Sequence, residues 1–452
     1  MSVNTSLLDA FLSDKRRALC LPGLAITIVQ YGRIVYQRGL GNAGPSRAMT
    51  PQTPMIIGSL SKSFTALAVM QLVEAGKLVL DDPVQYHVPW FCLADADAAA
   101  SITVRHLLTH TSGISRYAGR ALLGGHSGKT IEQSMRGLHN LRLSLPIGTF
   151  QYSNTNYLIL GLIVEVVSGQ AFGTYVQQHI FGPLGMLNSY IREDSALRGG
   201  LASGHRWWFG VPLPYKAPYL EDAVPAAFIA SSAEDMGRHM LALLNGGDLD
   251  DTSVLSPDGV AELHRPQTAT VSPGSRYALG WRVEKLGDTE IIRHGGEVSN
   301  FLAEMVLIPG QQLGVVVLMN VSNGVAPLAL GKDIRLASSV AQLLLGMPQP
   351  HRRLSFQSFY ALLDLALGIL SVYQIWSLVR LLRSSSRTLG QISIFEVLLG
   401  IVAAIRIPRL ADSPWSLLRI YVPDITSWLA AFFGCSLLKC CVYLFRHLSR
   451  RV

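Results

Sequence analysis

The spacing of apolar positions changes several times along this chain, and the changes divide it. Ala25–Val29 and Ile34–Gln37 are short apolar runs flanking Tyr31-Gly32, which predicts a β-hairpin. Glu290–Arg293, Phe301–Ile308 and Gly314–Met319 also read as strands, with another near Gly280–Val283. From Leu67 through Met70 to Val73 the period becomes helical, and Gly76 supplies a stop. Tyr157–Val167 reads as a second apolar helix, and Ser232-Ala233-Glu234-Asp235 as the capped start of a third. A further helix is expected near Ala329–Leu345.

After residue 350 the polar positions thin out. Phe356–Val379 carries one charge, Asp364, and is long enough to cross a ~30 Å hydrocarbon core. Ile425–Phe445 carries one, Lys439, placed to snorkel near the end of its span. Ile392–Ile407 is shorter and holds Glu396 and Arg406, a weaker span. The pattern therefore predicts a globular part at 1–350 and a membrane part at 351–452, with about three spans near 356–379, 392–407 and 425–445. Arg380, Arg383 and Arg387 follow the first span, and Arg446, Arg450 and Arg451 the last. Such clusters favour the cytoplasmic side, which would put the globular part outside the cytoplasm in an integral, multi-pass protein; Arg352, Arg353, Arg406, Arg409 and Arg419 would then lie outside as well, and a cytoplasmic domain is the alternative. Lys15-Arg16-Arg17 before Ala18–Val29 has the outline of a signal peptide, but Pro22 interrupts it and no small-x-small cleavage site follows. The hairpin is the preferred reading there.

Charge sharpens this division. The chain has formal charge +8, yet residues 1–350 contain 26 basic and 26 acidic side chains. The whole excess lies in the apolar tail, so the basic balance gives no reason to expect nucleic acid as a partner. Five Cys make no disulfide framework; Cys20 and Cys92 are expected to be buried. No H-E-x-x-H or paired C-x-x-C occurs, so neither metal nor cofactor is expected. Gly128-Lys129-Thr130 lacks the earlier Gly of a phosphate loop, and Ile57 replaces the first Gly of a G-x-S-x-G elbow. Trp207-Trp208-Phe209 is either a lid over a site or a packed loop.

The strongest chemical signal is Ser59-Leu60-Ser61-Lys62 at the head of the first strongly helical pattern. Residues three apart share a helix face. A Ser needs a base to become a nucleophile, and a Lys serves once burial lowers its pKa. By itself S-x-x-K is a common pattern. Three other segments raise it: Tyr152-Ser153-Asn154, His294-Gly295-Gly296, and Leu107–Ile114 around His110. His110 is expected to be structural.

Together these motifs resemble the serine β-lactamase/penicillin-binding superfamily, and within it the class C β-lactamase-like group of carboxypeptidases, aminopeptidases and esterases. The resemblance runs from about residue 21 to about residue 345. It implies an α+β, two-lobe β-lactamase/transpeptidase-like fold: an antiparallel sheet flanked by helices, and a mostly helical lobe at about 55–270, followed by about three transmembrane helices. It implies that Ser59 is acylated, that Lys62 helps deprotonate it, and that Tyr152 passes the proton to the leaving group. Asn154 would bind Lys62 and the substrate amide. His294, Gly295 and Gly296 would line the substrate strand, and the backbone N–H groups of Ser59 and Glu297 would form the oxyanion hole. His294 stands where many relatives have Lys, which counts against efficient β-lactam hydrolysis. Asn300 before Phe301 replaces a common Gly and is expected to take a left-handed turn and narrow the site. The implied function is a membrane-anchored serine hydrolase acting on a small peptide, ester or β-lactam. The alternative is a non-catalytic sensor that binds wall peptide or β-lactam and signals through its spans.

Overall fold

The computed structural model describes residues 4–124, 128–325, 334–349, 355–384 and 386–448. Its largest element is a nine-stranded sheet. In spatial order its strands are Thr268–Ala269, Arg276–Tyr277, Arg282–Leu286, Thr289–Val298, Phe301–Ile308, Leu313–Met319, Gly23–Gln30, Arg33–Gly44 and Arg47–Ala48. Every neighbouring pair is antiparallel. Gly23–Gln30 and Arg33–Gly44 are the hairpin expected around Tyr31-Gly32. The basic Lys15–Arg17 run ends the helix Thr5–Ala18 that precedes it.

The central strands are buried on both faces, so their sequences are almost continuously apolar. Ile26, Ile28, Val315 and Val317 face one core with Leu8 and Leu12 of the first helix and Ala337 and Val340 of Leu336–Leu344. Ala25, Val29, Val316 and Leu318 point the other way, into the core shared with the helical lobe. The helix Leu336–Leu344 is the described part of the one expected near Ala329–Leu345; the start of that range lies outside the described residues.

The helix Ala233–Leu244 begins as expected, with Ser232 Oγ accepting from Asp235 N. Its position differs from the expectation: it packs on the sheet, not within the helical lobe. Gly237 lies so close that a Cβ there would meet Thr27 at 2.6 Å, and Met240 meets the strand at Gly314. The helical lobe itself centres on Ser61–Glu74 and Asn154–Ser168. Cys92 is exposed and Cys20 half-buried, contrary to expectation. In the Phe91-Cys92-Leu93 run, the two larger apolar side chains take the buried positions.

Three helices are long and apolar enough to cross a membrane: Phe356–Arg383, Arg387–Leu410 and Pro423–His447. The second has 24 residues, more than its apolar stretch suggested, because helix continues over polar residues at both ends. Lys439 does not snorkel. It is buried at 2.7 Å from Glu396 of the neighbouring helix and also donates to Ser377 Oγ at 3.1 Å. Two opposite charges inside apolar helices lose less by pairing than by standing alone. Trp207 is fully buried and packs on Phe356, at 5.1 Å between ring centroids. The aromatic run is therefore a packed joint between the sheet domain and the first long helix.

Candidate active site

Ser59 sits in a single 3-10 turn, Gly58–Leu60, that feeds directly into the helix Ser61–Glu74. Lys62 lies one turn on and is fully buried. Its Nζ is 3.1 Å from Ser59 Oγ, 2.8 Å from Asn154 Oδ1 and 2.7 Å from the carbonyl oxygen of Ala226. Burial holds the Lys62 ammonium well below its ordinary pKa. A neutral amine has two N–H groups and one lone pair. Ala226 O only accepts and Asn154 Oδ1 is placed to accept, so they take the two N–H groups and the lone pair is left for the Ser59 hydroxyl.

The Ala226 carbonyl belongs to a wide turn, Val224–Phe228. Hydroxyls near the nucleophile hold that turn in place. Thr65 Oγ1 donates to Pro225 O at 2.7 Å, and Ser61 Oγ accepts from Ile229 N at 3.1 Å. A backbone carbonyl has no residue signature, so the sequence gives no sign of this third partner.

Tyr152 lies two residues before the helix Asn154–Ser168, whose N-cap Ser153 is extended, and Lys62 Nζ lies 5.0 Å from the Tyr152 ring centroid. Burial pushes its phenol up to about 12, against the opposing hydrogen bond with Ser59 and the positive charges of Arg282, Arg116 and Arg120. At neutral pH Tyr152 is therefore a phenol, suited to relaying or donating a proton. His110 is buried, with φ +59. Its Nδ1 accepts from Ser153 N at 3.2 Å, and its ring centroid lies 4.2 Å from that of Tyr152 with the planes tilted by 40°. It fixes the loop that carries Tyr152.

His294, Gly295, Gly296 and Glu297 lie within one continuous strand, Thr289–Val298, rather than in a gap between two strands. Pairing with Arg282–Leu286 stops at Arg293, so the edge from His294 to Glu297 is open toward the cleft. A Cβ on Gly296 would lie 1.9 Å from Ile57 O and 3.3 Å from Ser59 N. One on Gly58, at φ +55, would lie 2.3 Å from Glu297 N. These two glycines let strand and turn press together, so that the backbone at Ser59 and at Glu297 lies close across the contact. His294 Nε2 pairs with Tyr277 Oη at 3.1 Å, a partner missed in the sequence. Burial, then the charges of Lys62 and Arg282, keep His294 well below its ordinary pKa, so it is neutral.

Ser59, Tyr152, His294 and Glu297 line a cavity of about 350 Å³ together with Arg116 and Arg282. Neither arginine has a carboxylate partner among the described residues. Arg116 and Arg120 are one turn apart in the helix Arg116–Leu123. Asn300 does not narrow the site. It has no positive φ, and its Nδ2 donates to Tyr215 O at 3.1 Å while packing on Gly204. The missing Cβ at Gly204 makes room for it. Among the described residues no group of three or more His, Cys, Asp or Glu is placed to hold a metal.

Comparison with known proteins gives a consistent picture. The Beta-lactamase family model matches residues 8–338. Penicillin-binding protein 4 of Amycolatopsis lactamdurans is 31% identical over 317 residues, covering 68% of this chain and 82% of that protein. Protein flp of Staphylococcus aureus (strain MW2) is 28% identical over 312 residues, 68% of this chain; the match spans 61% of that protein's length. Among solved structures, the octameric penicillin-binding protein homologue from Pyrococcus abyssi aligns with TM-score 0.64 at 28% identity, over 76% of this chain and 78% of that one. The class C β-lactamase from Rhodobacter sphaeroides aligns with TM-score 0.62 over 74% of this chain and 99% of that one; at 22% identity it speaks to the fold alone. The sheet, the helical lobe and the motifs at their junction agree with these matches: the chain belongs to the Beta-lactamase family.

Proposed function

We propose that the protein is a membrane-anchored serine hydrolase that cleaves an amide or ester through an acyl-enzyme on Ser59. The observation that carries this reading is the Lys62 environment: two fixed acceptors and, at 3.1 Å, the Ser59 hydroxyl. In acylation Ser59 Oγ bonds to the substrate carbonyl carbon, and its proton passes to Lys62. The tetrahedral oxyanion is held by the amides of Ser59 and Glu297, each such donor worth ~3 kcal/mol in a transition state. As the bond to the leaving group breaks, the proton travels through Tyr152 to that group. Water then adds to the acyl carbon, gives its proton to the same relay, and releases the acid as Ser59 recovers its hydrogen.

Within that reaction the substrate class is a D-peptide, a cell-wall peptide, an ester or a β-lactam. The neutral His294 offers no charge to a substrate carboxylate, whereas Arg116 and Arg282 do. These two cations could take over the carboxylate contact that His294 lacks, so carboxylate-bearing peptides and β-lactams stay within the class beside esters. Asn154 and the open edge at His294–Glu297 would bind the substrate backbone. The sensor reading keeps one supporting observation: Arg120, beside the cleft, hydrogen-bonds Ala411 between two of the long helices. Hydrolysis of a chromogenic acetyl ester separates the two. The hydrolase turns it over, and Ser59→Ala reduces the rate to background. Equal rates in both proteins contradict the mechanism, and a single stoichiometric burst supports the sensor.

A further inference from the structure

A second cavity, of about 620 Å³, opens from the same Ser59 and Tyr152 but runs the other way. Its far wall is the segment between the second and third long helices. Leu410, the last residue of Arg387–Leu410, lines it, as do Leu417 and Leu418 of the short helix Trp415–Tyr421, and Val422 just before Pro423. The wall is tied to the hydrolase domain at several points. Arg120 Nη1 donates to Ala411 O at 2.5 Å and to Ser413 Oγ at 3.2 Å, and Gly324 N donates to Tyr421 O at 2.7 Å. Asp424, the second residue of the third helix, accepts from Asn323 Nδ2 and from Phe209 N at 3.2 and 3.3 Å.

The location of this wall matters as much as its composition. Both ends of the segment are ends of helices long and apolar enough to span a bilayer. Trp415 lies between those ends, with its indole N–H on Ala404 O at 2.9 Å, while Tyr421 at the other end of the same short helix lines the cavity. Trp and Tyr are the side chains that mark the headgroup level of a membrane. The cavity thus runs from the nucleophile to the ends of two membrane-length helices, and its outer wall sets Leu410, Leu417, Leu418 and Val422 beside the polar Asp412, Ser413 and Tyr421. A short water-soluble substrate would leave the outer part unfilled.

We propose that this cavity holds the alkyl chain of a bilayer-resident lipid whose ester or amide carbonyl lies at Ser59, so that the membrane segment is part of the substrate site as well as an anchor. The proposal rests on the Ser59 acyl-enzyme reading above.

The test uses the full chain in lipid nanodiscs and two fluorophosphonates that differ only in alkyl chain, two carbons against twelve. Each proton lost from Ser59 leaves with fluoride as the Oγ–P bond forms. The readout is the ratio of labelling rates at Ser59, which is internal to each protein. We expect the twelve-carbon probe to react at least about tenfold faster, since even partial burial of its methylenes is worth that much. Leu410→Asp and Leu418→Asp, at exposed and half-buried positions of the wall, should each lower the ratio by about tenfold. The two variants are independent, so one that fails to fold leaves the other to decide. A ratio near one, or a high ratio that neither variant changes, overturns the lipid assignment while leaving Ser59 as the nucleophile. No labelling by either probe defeats the Ser59 reading and this proposal with it.

Discussion

In the proposed reaction Lys62 is the residue on which the chemistry turns. Its burial, with Ala226 O and Asn154 Oδ1 as fixed acceptors, would make the neutral amine the working form. Ester hydrolysis should therefore rise with pH through the depressed Lys62 pKa and level off well below its ordinary value of 10.5. The sign follows from the base being active only when deprotonated. Lys62→Arg stays protonated at every accessible pH, so it should flatten that limb and lower the rate by ~10²-fold or more. A variant profile parallel to wild type would assign the limb to another group. Ser59 and Lys62 were legible because their i,i+3 spacing is itself a geometric statement. Tyr152 and His294 were legible from the order of their motifs. Tyr277 and the Ala226 carbonyl were not, since one is a tyrosine among many and the other has no side chain to read.

At the scale of elements, the site is a contact between the 3-10 turn at Ser59 and an open strand edge. Two glycines make that contact possible, and neighbouring glycines in the same strand differ in what they tolerate. Gly296→Ala places a Cβ 1.9 Å from Ile57 O, so strand and turn must part. Ester kcat should fall by ~10²-fold, the cost of losing one oxyanion donor. Gly295→Ala meets nothing closer than 3.9 Å and should have a far smaller effect on the same assay. Similar losses in both variants would argue against backbone crowding as the cause. The hairpin and the central strands were legible from their apolar runs. The seat of Ala233–Leu244 on the sheet was not, because an amphipathic helix does not say which apolar surface it covers. Lys439 was misread for a related reason: its partner Glu396 lies 43 positions away, in another helix.

At the scale of the molecule, a charge-neutral Beta-lactamase-family domain is fastened to a three-helix bundle by packed and hydrogen-bonded joints. The composition indicated two parts. It did not indicate their junction, because Trp207, Asp424 and the segment 411–422 each look ordinary in their own stretch of sequence. Arg380, Arg383, Arg387 and Arg446 gather at the ends of the helices away from the domain and Arg406, Arg409 and Arg419 at the ends near it, so the side on which the domain lies is a matter for direct labelling. Cys92 is exposed on the domain and reports on this directly. A membrane-impermeant maleimide should label it in intact cells; labelling only after lysis would reverse the topology.

The central claim is a covalent one and is best tested by mass. After incubation with a fluorophosphonate, the full chain should gain one phosphonyl group. Trypsin should place it on the peptide Ala48–Lys62, which contains Ser59. The adduct should be absent from Ser59→Ala. An unmodified wild-type chain, or an adduct that persists in Ser59→Ala, would contradict the account.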